Sequence, residues 1–251
     1  QIKSIDIRAS ARFASGHSEV TMPTGWEGSH LSTGDEYVTI EFWVKQASVT
    51  NGSGHGLIRY GHETDDQKAI TIFIENSGKM VAKVGAHRLR IESPSVDDNN
   101  WHHVAVSYNK SFISDPDDGS PFDIYIDGIK KTGADANAAG GNVNVESRTL
   151  STGYPVEIGE ELYAYENRPD FEGDLDELRI WEEGDGSSAA VRDAVANRIQ
   201  AYYRESEVDT GSEGTLVARF SFDDDKLDSN GFVANAGSSD TRIDATSGLS
   251  V

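Results

Sequence analysis

The chain has 251 residues, enough for one large all-β domain or two small ones, and its 22 Lys and Arg against 43 Asp and Glu leave a net charge of −21 at neutral pH. Such a surface repels nucleic acid and anionic lipid and favours divalent cations or a salty medium, so neither a nucleic-acid partner nor membrane insertion is expected. There is no cysteine, which excludes disulfides and thiol nucleophiles, and no apolar run approaches the ~18 residues a spanning helix needs.

Hydrophobic residues make up 36% of the chain and glycine supplies 25 positions, a balance suited to many short strands and turns. Opening at Gln1 with no signal-peptide pattern, the chain reads as a piece of something longer. Short alternating pieces come first, at Ile5 to Ile7, Ala11 to Phe13 and Glu19 to Pro23. From Tyr37 to Lys45 the alternation is strict, with Val38, Ile40, Phe42 and Val44 on one face. Strands follow at Leu57 to Tyr60, through Ile70, Ile72 and Ile74, at Met80 to Val84 and at His87 to Glu92. The turn Asn76-Ser77-Gly78-Lys79 joins two of these as a hairpin.

Trp101 to Tyr108 is the next strand, and Phe122 to Ile126 pairs with Ile129 to Thr132 across the turn Asp127-Gly128. Residues 133–154 have no clear period and read as a long loop, followed by a short strand at Pro155 to Gly159. An acidic, aromatic loop spans 160–172. Gly173 to Trp181 is a strand with one oddity: strict alternation places Asp176 on the inward face with Leu178 and Ile180. A carboxylate entering a sandwich core is costly unless a metal, a cation or backbone N–H groups compensate it. One amphipathic helix follows, capped by Ser187 or Ser188, with Val191, Ala194, Val195, Ile199 and Tyr202 as its apolar stripe through Arg204. Leu216 to Phe222 alternates again, and 223–251 is polar. Many strands at turn-punctuated spacing with a single helix predict an all-β, two-sheet antiparallel sandwich.

Four motifs in order, Tyr37 to Val44, Trp101 to Val106, Ile124 to Gly128 and Gly173 to Trp181, resemble the laminin-G-like, or concanavalin-A-like, jelly rolls, a wider group that includes pentraxins. The resemblance covers about residues 11–204 and implies two curved sheets, calcium and a binding role. Domain boundaries are set at 1–222 for the jelly roll and 223–251 for a polar segment. Leu216 to Asp223 with Asp228 to Gly231 also resembles the opening of such modules in bacterial tandem arrays. It therefore reads either as an extra strand of this domain or as the start of the next.

The resemblance implies a structural Ca²⁺ that ties Asp176 to the loop around Ser15, Gly16 and Glu19. The competing reading is an Asp176 that accepts backbone N–H bonds. A second, pentraxin-like position would use Asp65, Asp66 and Glu161, although Gln67 stands where those proteins carry Asn. For ligand binding, Tyr163 and Tyr165 are the candidate aromatic platform, with Tyr60, Trp26 and Arg168 as helpers. His102 and His103 are adjacent on a strand, point to opposite faces and cannot chelate one ion together.

Glycosidases of this fold carry Glu-Xaa-Asp-Xaa-Xaa-Glu on a concave strand, and Glu172, Asp174 and Glu177 match that spacing. A retaining mechanism would need two carboxylates about 5–5.5 Å apart. The triplet instead leads into the terminal strand that the resemblance makes non-catalytic. The sequence thus predicts a non-catalytic, calcium-stabilised lectin-like or adhesion module of a secreted or cell-surface protein, with a glycan or extracellular protein as ligand. A structural spacer in a large repeat adhesin, flanked by neighbouring modules, is the first alternative. A glycoside hydrolase or lyase of the same fold is the second.

Overall fold

Runs of alternating Val, Ile, Phe and Tyr broken by Gly, Asn and Asp leave the backbone little choice but short antiparallel strands. The computed structural model describes residues 11–13, 20–21, 37–47, 54–61, 69–84, 87–91, 94–110, 121–131, 133–135, 156–159, 171–203, 215–220, 232–234, 242–245 and 249–250. In chain order the strands are β1 (Ala11–Phe13), β2 (Val20–Thr21), β3 (Tyr37–Lys45), β4 (His55–Gly61), β5 (Ala69–Ile74) and β6 (Met80–Val84). They continue with β7 (His87–Ile91), β8 (Trp101–Asn109), β9 (Phe122–Ile126), β10 (Ile129–Lys130), β11 (Gly133–Asp135) and β12 (Val156–Ile158). β13 (Gly173–Glu182), helix α1 (Ala189–Tyr202), β14 (Thr215–Phe220), β15 (Phe232–Ala234), β16 (Arg242–Ala245) and β17 (Leu249–Ser250) complete the set.

The strands form two antiparallel sheets. The first has the order β10-β9-β8-β3-β13-β1-β17, with β14 also alongside β13; the second runs β11-β7-β6-β5-β4-β12-β2-β16-β15. Between them lies one core: Val38, Ile40, Phe42 and Val44 of β3 meet Ile58, Ile70, Ile72 and Ala82 of the other sheet, with Tyr108, Ile124 and Ile180 filling in. Each Val, Ile or Phe among these, once fully buried, contributes about 1.5–3 kcal/mol. The strict alternation of β3 therefore reads correctly as one inward and one outward face.

Asp127 and Gly128 both have positive φ, 53° and 74°, as a two-residue hairpin turn between β9 and β10 demands. Two boundaries differ from expectation. Gly133–Asp135 pairs with β7 as β11, inside the stretch read as loop, because the main-chain ladder does not need an apolar period. Helix α1 ends at Tyr202 rather than Arg204. In the polar segment after residue 222, β16 pairs with β2 and β17 with β1, so its strands join both sheets.

Helix α1 lies on the outward face of the first sheet, where Val195 and Ile199 pack against Tyr37, Ala105 and Tyr125, with Val191 partly buried beside them. Ser188 occupies the N-cap position but makes no side-chain cap bond. The turn is held instead by Asp185, whose Oδ1 accepts the Ser187 N–H at 2.9 Å and the Ser187 hydroxyl at 2.7 Å. Arg192 adds bonds to the carbonyls of Gly186 and Ser187, each at 2.8 Å.

Candidate functional site

Strand β13 organises the first sheet, and it is not regular. Asp176 pairs with Trp43 and Arg179 with Glu41, so three steps along β13 match two along β3. The extra residue forms a bulge centred on Glu177, whose φ of 49° lies in the left-handed region. Leu175 opposite Val44 and Ile180 opposite Ile40 both face the core, as does Leu178. Asp176 shares the outward side with Trp43. The expectation that Asp176 points inward with Leu178 and Ile180 is therefore corrected: simple alternation fails because the bulge inserts one residue between them. Asp176 is nonetheless 3% exposed, and its Oδ1 accepts the Glu177 N–H at 2.8 Å, holding the bulge.

Outward from the sheet, and still buried, lies a charge network that the sequence reading missed. Glu41 accepts the Trp181 indole N–H at 2.8 Å, sits 3.5 Å from Arg179 through the same oxygen, and lies 3.6 Å from His103 Nε2 through the other. Arg179 bonds Glu177 at 3.0 Å. Burial pushes the Glu41 carboxyl up, but His103 and then Arg179 outweigh it and hold the group well below the usual carboxylate range. The available signal was Glu41 itself, a carboxylate on an outward parity flanked by Thr39 and Trp43, with Arg179 directly opposite it on the neighbouring strand in an equally apolar run. Trp181 packs with no exposed surface.

The candidate carboxylate triplet comes apart on this geometry. Glu172 is exposed and Asp174 half-buried, whereas Glu177 is buried and engaged by Arg179. A Glu locked in an interior ion pair is unsuited to act as nucleophile or proton donor beside Glu172.

At the end of the sandwich where β13 begins, the loop that carries the aromatic candidates is tied at its stem. Gly159 N donates to Leu57 O at 2.8 Å, and Phe171 N donates to Gly159 O at 2.9 Å, so the segment 160–170 leaves and returns at residues bonded to each other. Phe171 is fully buried and meets the His55 ring edge-on at 6.5 Å. His55 Nδ1 accepts the Glu172 N–H at 3.1 Å and therefore also accepts from Gln46 Nε2, which places its ring proton on Nε2. Tyr163, Tyr165, Arg168 and Glu161 fall between these stem residues and lie outside the described residues, as do Trp26, Ser15, Gly16, Glu19, Asp65 and Asp66.

Tyr60 requires a correction. It is 2% exposed and belongs to the core between the sheets, so its ring cannot serve as a ligand platform; it shares the inward face with Ile58. The acidic pair Asp65 and Asp66 follows Gly61, at the end of β4 opposite His55, whereas Glu161 follows Gly159 beside Leu57. β1 ends with Phe13 opposite Gly173, three positions before Asp176. Among the described residues no group of three or more His, Asp or Glu side chains is arranged to hold a metal ion. Among them, too, no helix is long and apolar enough to cross a membrane.

A family model described as the concanavalin A-like lectin/glucanases superfamily matches residues 15–184. A 153-residue stretch is 23% identical to a Mus musculus protein, the sushi, von Willebrand factor type A, EGF and pentraxin domain-containing protein 1; it takes in 58% of this chain and 4% of that protein's length. Among solved structures, a candidate carbohydrate-binding protein of Bacteroides ovatus superposes with a TM-score of 0.57 at 18% identity, over 96% of this chain and 59% of that one. The native heptameric SAP-like pentraxin of Limulus polyphemus gives 0.50 at 12% identity, over 99% and 100% of the two chains. At these identities both structures bear on fold alone.

Proposed function

The chain belongs to the concanavalin A-like lectin/glucanases superfamily, and from that premise we propose that it is a non-catalytic module of a secreted or cell-surface protein that binds a glycan or an extracellular protein. The observation that carries the reading is the tied stem of the 160–170 segment. Gly159 is bonded to Leu57, Phe171 to Gly159 and Glu172 to His55, so the acidic, tyrosine-bearing stretch 160–170 begins and ends at residues anchored on β4. Tyr163 and Tyr165 supply aromatic surface, Arg168 a fork of donors, and Glu161 a hard oxygen. The engagement of Glu177 by Arg179 weighs on the same side, since it removes one carboxylate from a hydrolytic pair.

Calcium is part of the proposal. Its candidate ligands are Asp176 with Gly16 and Glu19, and Asp65 and Asp66 with Glu161, all offering carboxylate or carbonyl oxygen. Asp65 and Asp66 follow β4 and Glu161 follows β12, two antiparallel neighbours that finish at opposite ends of their ladder. Melting in EGTA and in millimolar Ca²⁺ tests the metal, and an unchanged midpoint counts against both positions. Glycan-array binding by the native chain, lost in Tyr163→Ala and Tyr165→Ala, supports the ligand reading. Silence on every glycan and on extracellular protein panels would put the spacer role ahead.

A further inference from the structure

We propose that His102 is a proton-controlled strap that fastens the residue 94–100 segment to the β9–β10 turn, and through it steadies the stem of the 160–170 loop. The ring lies between two carboxylates: Nδ1 is 3.0 Å from Asp127 Oδ2 and Nε2 is 3.1 Å from Asp98 Oδ1. A neutral imidazole has one N–H, so both bonds form only in the imidazolium. On losing a proton, the ring must release one partner.

Which partner goes is set by how each is held. Asp127 Oδ1 accepts the His103 N–H at 3.0 Å and the Asp127 N–H donates to His103 O at 2.8 Å, within a tight turn whose two central residues both have positive φ. Asp98 is exposed, and besides His102 it accepts the Asn100 N–H at 2.8 Å. The Asp98 side lets go.

The segment it frees reaches further. Asn99 N donates to Gln46 O at 2.8 Å; the Gln46 side chain donates to His55, whose Nδ1 also takes the Glu172 N–H at the loop stem. Regulation of the loop by this route rests on the binding role proposed above, whereas the strap itself does not.

The charged groups facing the ring are Asp127 and Asp98, from the β9–β10 turn and the residue 94–100 segment. The Asp127 hydrogen bond raises the His102 pKa above its ordinary 6.5, burial works against it, and Asp98 adds to the rise. Asp98 is lowered, first by Asn100 and then by His102. Asp127 is lowered because its bonds to His102 and His103 outweigh burial. A raised histidine contributes fully below its ordinary value and loses that contribution as pH climbs through its folded value. The lowered carboxylates contribute above 3.8 and lose it as pH falls through their folded values. The strap therefore holds from weakly acidic pH to somewhat above 6.5.

Hydrogen exchange by NMR, corrected for intrinsic rates and run beside a ring-proton titration of His102, tests it without any ligand. Protection of the Asn99 and Asn100 amides should fall by about twofold to fivefold as the ring deprotonates, the weight of one exposed ion pair. The step should vanish in His102→Gln and move to lower pH in Asp98→Asn, an exposed change that spares the fold. No step in the native chain, or one at the same pH in Asp98→Asn, overturns the strap. A flat Glu172 amide beside stepping Asn99 and Asn100 overturns the link to the loop. Neither result touches the glycan reading, which Tyr163→Ala tests separately.

Discussion

Arg198 on helix α1 grips both carboxylate oxygens of Glu183 in a parallel fork, each bond 2.6 Å long, with its guanidinium 4.1 Å above the Trp181 ring. Glu183 directly follows β13 and its N–H bonds Tyr37 O, so this pair fixes the helix to the end of the central strand.

Removing one half of that pair leaves the other buried and uncompensated. Arg198→Met should cost about 3–5 kcal/mol in urea unfolding, and Arg198→Met with Glu183→Gln should recover much of it, because the penalty is the stranded charge rather than the lost attraction. Equal losses in the single and double variants would mean that the helix depends on the arginine's packing over Trp181 instead.

Glu41 gives a prediction with a sign in pH. Its folded pKa lies below the ordinary 4.5, so its contribution is present above 4.5 and is lost as pH falls toward the folded value. Glu41→Gln should destabilise the protein by about 3 kcal/mol at neutral pH, since the buried Arg179 guanidinium keeps Glu177 but loses the Glu41 carboxylate. It should also flatten the fall of unfolding free energy between about pH 5 and pH 3. Parallel acid limbs in the two proteins would place the acid sensitivity elsewhere.

Two glycines of similar backbone separate strain from crowding. Gly128 has φ +74° and a Cβ there would stand 2.5 Å from the Tyr203 ring; Gly184 has φ +83° and nothing within 4 Å. Gly184→Ala should cost about 1 kcal/mol from backbone strain alone. Gly128→Ala should add about 1–3 kcal/mol of overpacking, and Tyr203→Ala in the same chain should return that part. A double-variant cycle by chemical denaturation measures the coupling, and additivity would show that Tyr203 moves aside freely.

The sandwich and its hairpins were legible because β3, β5 and β9 alternate without interruption and the Asp127-Gly128 turn admits few conformations. The face of Asp176 was not, because alternation carried back from Leu178 and Ile180 puts Asp176 inward and Leu175 outward, and only the pairing with β3 shows the inserted residue that returns Leu175 to the core. Tyr60 was misread for a related reason. Its neighbours in sequence are polar, and its inward parity on β4 emerges only once Ile58 and Ile72 are seen opposite each other. The Glu41 network joins residues 138 and 140 positions apart, a separation at which sequence pattern offers no pairing rule.

Asp176 has two candidate tasks, and substitution can tell them apart. As the anchor of the bulge it needs one oxygen to accept the Glu177 N–H, a service an amide oxygen performs as well. Asp176→Asn should then be nearly neutral, and Asp176→Ala should cost about 1–3 kcal/mol by leaving a buried donor without that acceptor. Both results should be the same in EGTA and in millimolar Ca²⁺. As a calcium ligand it needs its negative charge, so Asp176→Asn would remove whatever stabilisation Ca²⁺ confers while leaving the EGTA value unchanged.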